Sequence, residues 1–288
     1  MAFFRCLVIV LVVSAGCFSG CRQKVTESPE IEPGTRLTLI ERRLLEVIEK
    51  QQQLEALAAR EDAPVSEVQR RFHEVARDYN SIVTDNPRHL ETRLLYGKLL
   101  DRFGDREGAR NQFLMAANID PEVAVIHQQL STYYAEEDDP TRALAYALNA
   151  IRIEPETATY HFGLGQLLTA FRTQFLAEEV FTVAELDEAT LDAFATAASL
   201  EPETLAFQFR YGEAIYDQTL PDWERALAHW RFLRSSRGLS QLQAASLNLH
   251  EARCLIELGR YNEAVPLLDA TDEPALNATR EALRAALP

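Results

Sequence analysis

The stretch "IRIEPETATYHFGLG", Ile151 to Gly165, decides how this chain is read, because nearly the same phrase returns along it. "ANIDPEVAV" stands upstream, "ASLEPETLA" downstream and "VTDNPRHLE" earlier still, each carrying an acid or Asn followed by Pro. Pro87 to Pro121 is 34 residues and Pro121 to Pro155 is 34 again, whereas Pro155 to Pro202 is 47, one period plus a 13-residue insertion. A fixed period of this length marks a chain built from stacked copies of one supersecondary unit.

Inside each period lie two apolar runs with a 3.6-residue rhythm, parted by a short polar turn such as "DRFGDREG" and closed by the proline. That pattern is a helix hairpin. A large apolar residue and a small one recur together at Tyr96-Gly97, Leu130-Ser131, Leu164-Gly165 and Tyr211-Gly212, and the small residue lets the two helices of a hairpin approach. Before each proline a second set recurs: Ala109, Phe113 and Ala116, then Ala143, Ala147 and Ala150, then Thr190, Phe194 and Ala197. Three-and-four spacing puts each set on one helix face. The proline lacks an N–H and disfavours helical geometry in the residue before it, so it ends one hairpin and opens the next. One hairpin cannot bury its apolar stripe, but stacked neighbours can. The chain is therefore expected to be all-α.

In the period, the proline, the small residue beside an aromatic or Leu and the Ala-x3-Phe motif, the chain resembles the tetratricopeptide repeat (TPR) family. The resemblance is fullest from Arg88 to Pro202. Beyond it, "FRYGEAIYDQTLPDWERALAHWRFL" has two extra residues in its turn, and "LNLHEARCLIELGRYNEAVPLLDA" keeps Gly259, Tyr261 and Ala264 but sets Glu251 at an expected apolar position. The resemblance implies a solenoid of stacked antiparallel helix hairpins wound into a right-handed superhelix. It occupies 88–288, with an insertion near 172–190 containing Phe175, Leu176, Val180 and Phe181, and with "PALNATREALRAAL" as a closing helix. Residues 37–87 are expected to form an N-terminal helical pair, with helices near Leu37–Ala59 and Val65–Val83. The insertion is read either as a longer turn or short extra helix, or as a projecting contact element.

TPR proteins hold a partner peptide or domain in a concave groove, and the resemblance implies the same here. The groove face of each first helix carries Leu94, Lys98 and Arg102, then Gln128, Thr132 and Glu136, then Phe162 and Gln166, then Phe209, Glu213 and Tyr216. It lacks the residues with which some members clamp a C-terminal carboxylate. Phe162, Phe209 and Tyr216 suit apolar anchors for a bound segment, or fillers of the gaps between repeats. Lys98 and Arg102 at one end and Glu213 and Asp217 at the other would set its direction. A second reading is a structural assembly subunit that binds through its outer face or its insertion. An enzyme built on a helical solenoid is the third.

The remaining signals bound the setting. A formal net charge of -15 repels phosphate backbones, and no stripe of Lys and Arg offsets it, so no nucleic-acid partner is expected. "MAFFRCLVIVLVVSAGCFSGCRQK" places Arg5 before a short apolar run and small residues, the pattern of an export signal. "FSGC" resembles a bacterial lipobox, so residues 1–20 are expected to be a signal and Cys21 the lipid-bearing residue; "SAGC", ending at Cys17, is the competing site. "VTESPEIEPGT" falls within a tether, 21–36. A lipid anchor in a bacterial envelope follows, on the periplasmic side of the outer membrane in a Gram-negative cell. Cys254 then remains as a core residue. The sequence holds no HExxH, GxSxG, Walker loop or dinucleotide fingerprint. No catalytic site, metal, cofactor or small-molecule substrate is expected. His127 and His161, 34 residues apart, are read as structural, and "EEDDP" as a solvated turn rather than a cation site.

Overall fold

In the computed structural model, which describes residues 38–235 and 238–288, the 34-residue period becomes a succession of helix hairpins. The expected signal, tether and both candidate lipidation cysteines lie outside the described residues. The chain divides into two compact units. Residues 38–175 contain α1 (Leu39–Ala58), α2 (Val65–Asp85), α3 (Leu90–Arg102), α4 (Arg106–Ile119), α5 (Ala124–Glu136), α6 (Pro140–Ile153) and α7 (Ala158–Ala170). The division falls within the short α8 (Arg172–Ala177). Residues 176–288 contain α9 (Val183–Leu200), α10 (Leu205–Tyr216), α11 (Trp223–Arg234), α12 (Gln241–Glu257), α13 (Tyr261–Asp269) and α14 (Asn277–Ala285). Among the described residues there is no strand, and no helix is long and apolar enough to cross a membrane. The fold is an all-α solenoid of hairpins.

Local chemistry sets the ends of each helix. Asp105, Asp139 and Asp222 cap α4, α6 and α11, each carboxylate accepting from the backbone N–H three residues on. The first helices α3, α5 and α12 are each followed by a residue of positive φ, Gly104, Asp138 and Gly259, at 87°, 59° and 71°. Asp138 stands 34 residues after Gly104 and adopts the left-handed turn that Asp tolerates better than most side chains. Between α7 and α9 this turn is displaced by the insertion. There α8 adds a short extra helix, Glu179 takes the positive φ at 54°, and a Thr182–Glu185 capping box starts α9. Phe175 is fully buried, whereas Val180 is exposed.

Packing follows sequence order. In the first unit α1–α2, α3–α4 and α5–α6 pair as hairpins and α2–α3, α4–α5 and α6–α7 join them; in the second α9 to α13 pack in succession and α14 lies on α12 and α13. Ala109, Phe113 and Ala116, and their counterparts Ala143, Ala147 and Ala150, are all buried at this interface. Gly97 faces the Phe113 ring, where an added Cβ would sit 3.1 Å from it. In the fourth hairpin the two extra turn residues put Trp230, fully buried, in the phase of Phe113. Glu251, at the expected apolar position, is 2% exposed and lies between two arginines, accepting from Arg231 Nε at 2.8 Å with Arg234 Nη1 at 3.1 Å.

One bond recurs at the junctions between repeats. Arg93 Nε donates to the carbonyl of Pro87 at 2.8 Å, His127 Nε2 to Pro121 at 2.7 Å, His161 Nε2 to Pro155 at 2.7 Å and Gln208 Nε2 to Pro202 at 3.2 Å. A carbonyl only accepts, so Nε2 of both histidines carries the proton. The two repeat-phased histidines are ties of the fold, and Arg93 and Gln208 make the same bond with different chemistry.

Gly212 gives the sharpest test of this packing. A Cβ there would lie 2.5 Å from the buried Trp230 ring and 2.8 Å from His229. Gly212→Ala should destabilise residues 176–288 by about 1–3 kcal/mol of overpacking despite the better helix propensity of Ala. Gly97→Ala, which meets only the edge of Phe113, should cost less. Thermal unfolding of both variants checks the order, and an unchanged transition for Gly212→Ala would contradict it.

Candidate functional site

The residues expected to line a groove fall on the first helices, and the two units carry them separately. In residues 38–175, Leu94, Gln128 and Phe162 occupy one repeat phase on α3, α5 and α7, and Lys98, Thr132 and Gln166 the next. All are half-buried except Gln166, which is exposed. Gln128 packs beside Gly163: an added Cβ at 163 would lie 3.1 Å from its Nε2, so this glycine makes room for the amide. The Oε1 of Gln128 is buried without a hydrogen bond. Thr132 Oγ1 donates back to the Gln128 carbonyl at 3.2 Å. Arg102 is exposed and pairs with Glu55 of α1 at 2.8 Å, and Glu136 pairs with Arg106. The charges at this end of the face are therefore already shared with neighbours.

In residues 176–288 the corresponding face of α10 is packed more deeply. Tyr216 is 4% exposed, which corrects the expectation that it opens onto a groove. Its ring stacks on Trp223 at 5.4 Å and its hydroxyl lies 2.7 Å from His250 Nδ1 on α12. Phe209 is half-buried and meets Trp230 and His250 edge-on at 5.5 and 5.8 Å. Both aromatics fill the gap between repeats. Glu213 and Asp217 do not present bare charge either, because Arg210 Nη1 donates to both, at 3.1 and 3.0 Å.

Around Tyr216 the electrostatics follow from burial. Desolvation holds the His250 imidazole down to about 3 and raises the Tyr216 hydroxyl well above its ordinary range. A neutral ring thus meets a neutral phenol. His250 stacks on Trp230 at 4.2 Å, and its Nε2 has no hydrogen-bond partner, with the nearest Glu213 oxygen 4.0 Å away. Burial also raises the Glu213 carboxyl, against the pull of Arg210. Arg253 lays its guanidinium 4.4 Å over the Tyr216 ring and 5.8 Å from Trp223. Arg210, His250 and Arg253 are absent from the sequence expectation. Ala252 and Gly259 fix the register of α12 and place Arg253 in the phase of Lys98, Thr132, Gln166 and Glu213, a signal obscured by Glu251 beside it.

Elsewhere the titratable groups are structural. Cys254 is buried, its thiol pushed up to about 12 by desolvation. Within "EEDDP", Asp139 caps α6 and holds Arg142, while Asp138 accepts from Gln174 at 3.2 Å. Among the described residues no cluster of His, Cys, Asp and Glu could hold a metal ion.

Solved structures of similar fold place this arrangement in a class. The chain is similar to YrrB, described as a TPR protein with an unusual peptide-binding site, at 14% identity and a TM-score of 0.57, over 73% of this chain and 99% of that one. It is also similar to PilF of Pseudomonas aeruginosa, at 12% identity and a TM-score of 0.50, over 83% of this chain and 99% of that one. The chain has the tetratricopeptide-repeat fold. No protein-family profile and no curated protein matches it by sequence.

The His250 cluster predicts a pH dependence of stability. Below an unfolded value of about 6.5, the unfolded chain protonates this imidazole while the folded ring, held at about 3, stays neutral, so stability falls as pH drops through that window. The slope from this group is about 1.4 kcal/mol per pH unit. Glu213, whose folded carboxyl is raised, acts in the opposite sense, taking up its proton more readily when folded. Denaturant unfolding of wild type and His250→Gln between about pH 6 and 5 isolates the histidine. The variant should lose roughly one proton's worth of slope, and equal slopes would contradict the neutral buried ring.

Proposed function

We propose that this protein is a protein-binding scaffold that holds a partner segment along the first helices of its hairpins. The observation that carries the reading is the pair of same-phase rows on α3, α5 and α7. Leu94, Gln128 and Phe162, and beside them Lys98, Thr132 and Gln166, are half-buried or exposed, and each recurs at the repeat spacing. A surface that repeats with the fold suits an extended segment, which also repeats along its length. The similarity to YrrB, itself described by its peptide-binding site, is consistent with this use of the fold. The scaffold is anchored in the bacterial envelope through lipid on Cys21, a reading that rests on "FSGC" following a short apolar run. It needs no cofactor and carries out no reaction.

Two experiments test these parts separately. Phe162→Ala combined with Gln166→Ala should weaken capture of partners from envelope extracts by about 2 kcal/mol or more, while far-ultraviolet circular dichroism stays helical. Undiminished capture by the folded double variant would remove this face from the function and turn attention to the insertion around Val180 and Phe181. Cys21→Ala should release the chain from membranes, since the acyl chains supply about 0.8 kcal/mol per buried methylene. If Cys21→Ala still fractionates with membranes and Cys17→Ala does not, the lipid is on Cys17.

A further inference from the structure

Residues 176–288 contain nineteen Asp and Glu against nine Lys and Arg. In such an excess of acid an arginine finds a carboxylate easily, and most do: Arg210, Arg231, Arg234, Arg260, Arg280 and Arg284 each lie in an ion pair. Arg225 donates to the Tyr211 hydroxyl at 2.8 Å. Arg253 differs. Among the described residues it makes no hydrogen bond and no ion pair; its contacts are the faces of Tyr216, at 4.4 Å, and Trp223, at 5.8 Å.

The two acids closest in phase on α10, Glu213 and Asp217, are both engaged by Arg210, which explains why Arg253 is left without either. Its platform is fixed, because Tyr216 is buried, stacked on Trp223 and bonded to His250. The guanidinium is thus held by aromatic faces while its five N–H donors keep their capacity. Aromatic contact satisfies the face of a guanidinium and leaves its donor edge for a carboxylate, which can bind in bidentate fashion. Arg253 also stands in the repeat phase of Lys98, Thr132, Gln166 and Glu213, the phase that in residues 38–175 carries one row of the candidate binding face.

We infer that Arg253 anchors a single Asp or Glu side chain of a bound partner segment. This rests on the reading of the protein as a segment-binding scaffold. The surroundings select the occupant. One arginine matches one carboxylate, and the exposed Glu257, one turn further along α12, repels a second negative group. A polyanion such as nucleic acid is repelled by the whole unit. The same acid favours an uncharged or basic residue next to the anchored one, so the fitting segment carries an isolated acid. At physiological ionic strength the general acidity is screened beyond about 8 Å, and the contact at Arg253 decides the outcome.

The test uses the full chain labelled with nitrogen-15 at arginine. The Nε–Hε resonance of Arg253, assigned by its loss in Arg253→Lys, is followed while the blocked tripeptides acetyl-Ala-Glu-Ala-amide and acetyl-Ala-Gln-Ala-amide are titrated in turn, and then inorganic phosphate. The glutamate peptide should shift this resonance saturably, with an affinity at least about fivefold above that of the glutamine peptide, and it should outcompete phosphate. Equal response to the two peptides, no response to either, or a stronger response to phosphate would each overturn the inference. Arg253→Met, checked for an unchanged helical spectrum, should bind the two peptides alike. No partner is needed for this measurement, so its failure leaves the Phe162 and Gln166 face untouched, and loss of that face leaves the Arg253 response in place.

Discussion

At the end of each hairpin the chain turns through a proline whose carbonyl receives no backbone donor. No backbone N–H bonds to it among the described residues, and the four prolines are exposed, so what a side-chain donor adds here is a fixed position for the turn. The side chain six residues on supplies the donor in four successive repeats, from Arg93, His127, His161 and Gln208. That bond ties the junction to the first turn of the next helix, and so fixes where the helix begins. The phase of every later residue on the helix, including the small one that receives its partner and those of the candidate binding face, follows from that start.

What could be read in the sequence was what repeats in residue type. Pro87, Pro121, Pro155 and Pro202, the small residues at Gly97 and Gly212, and the Ala109-Phe113-Ala116 set are similar in kind each time, because close packing tolerates few substitutes. The junction tie escaped notice beyond its two histidines because arginine, histidine and glutamine share only a donor at a certain reach. Trp230 was hidden by the two residues inserted before it, which shift it out of phase with Phe113. Insertions change the count without changing the packing.

The candidate face was legible in register but not in depth. Leu94, Gln128 and Phe162 occupy one phase, as the period requires. Periodicity says which way a residue faces, and what faces it from the next helix decides whether it is covered. Tyr216 is covered because α12 brings His250 to its hydroxyl and Arg253 to its ring. Phe162 remains half-buried. Glu213 and Asp217 could be seen as acids, yet the neutralising Arg210 lies only three and seven residues away on the same helix turn sequence, where a list of acidic positions does not show it.

Glu251 has a consequence for the order in which the hairpins stack. Repeats built to one pattern offer one another near-equivalent surfaces, and a hairpin could settle against the wrong neighbour. Glu251 is buried between Arg231 and Arg234 of α11. The residues in the same phases on α4, α6 and α9, the second helices of the repeats before it, are Leu114 and Ala117, Leu148 and Ile151, and Ala195 and Ala198. None of these can answer a carboxylate, and a buried charge without its partner costs about 3–5 kcal/mol. The acid that breaks the apolar pattern therefore works as an address, accepting α11 and rejecting α4, α6 and α9.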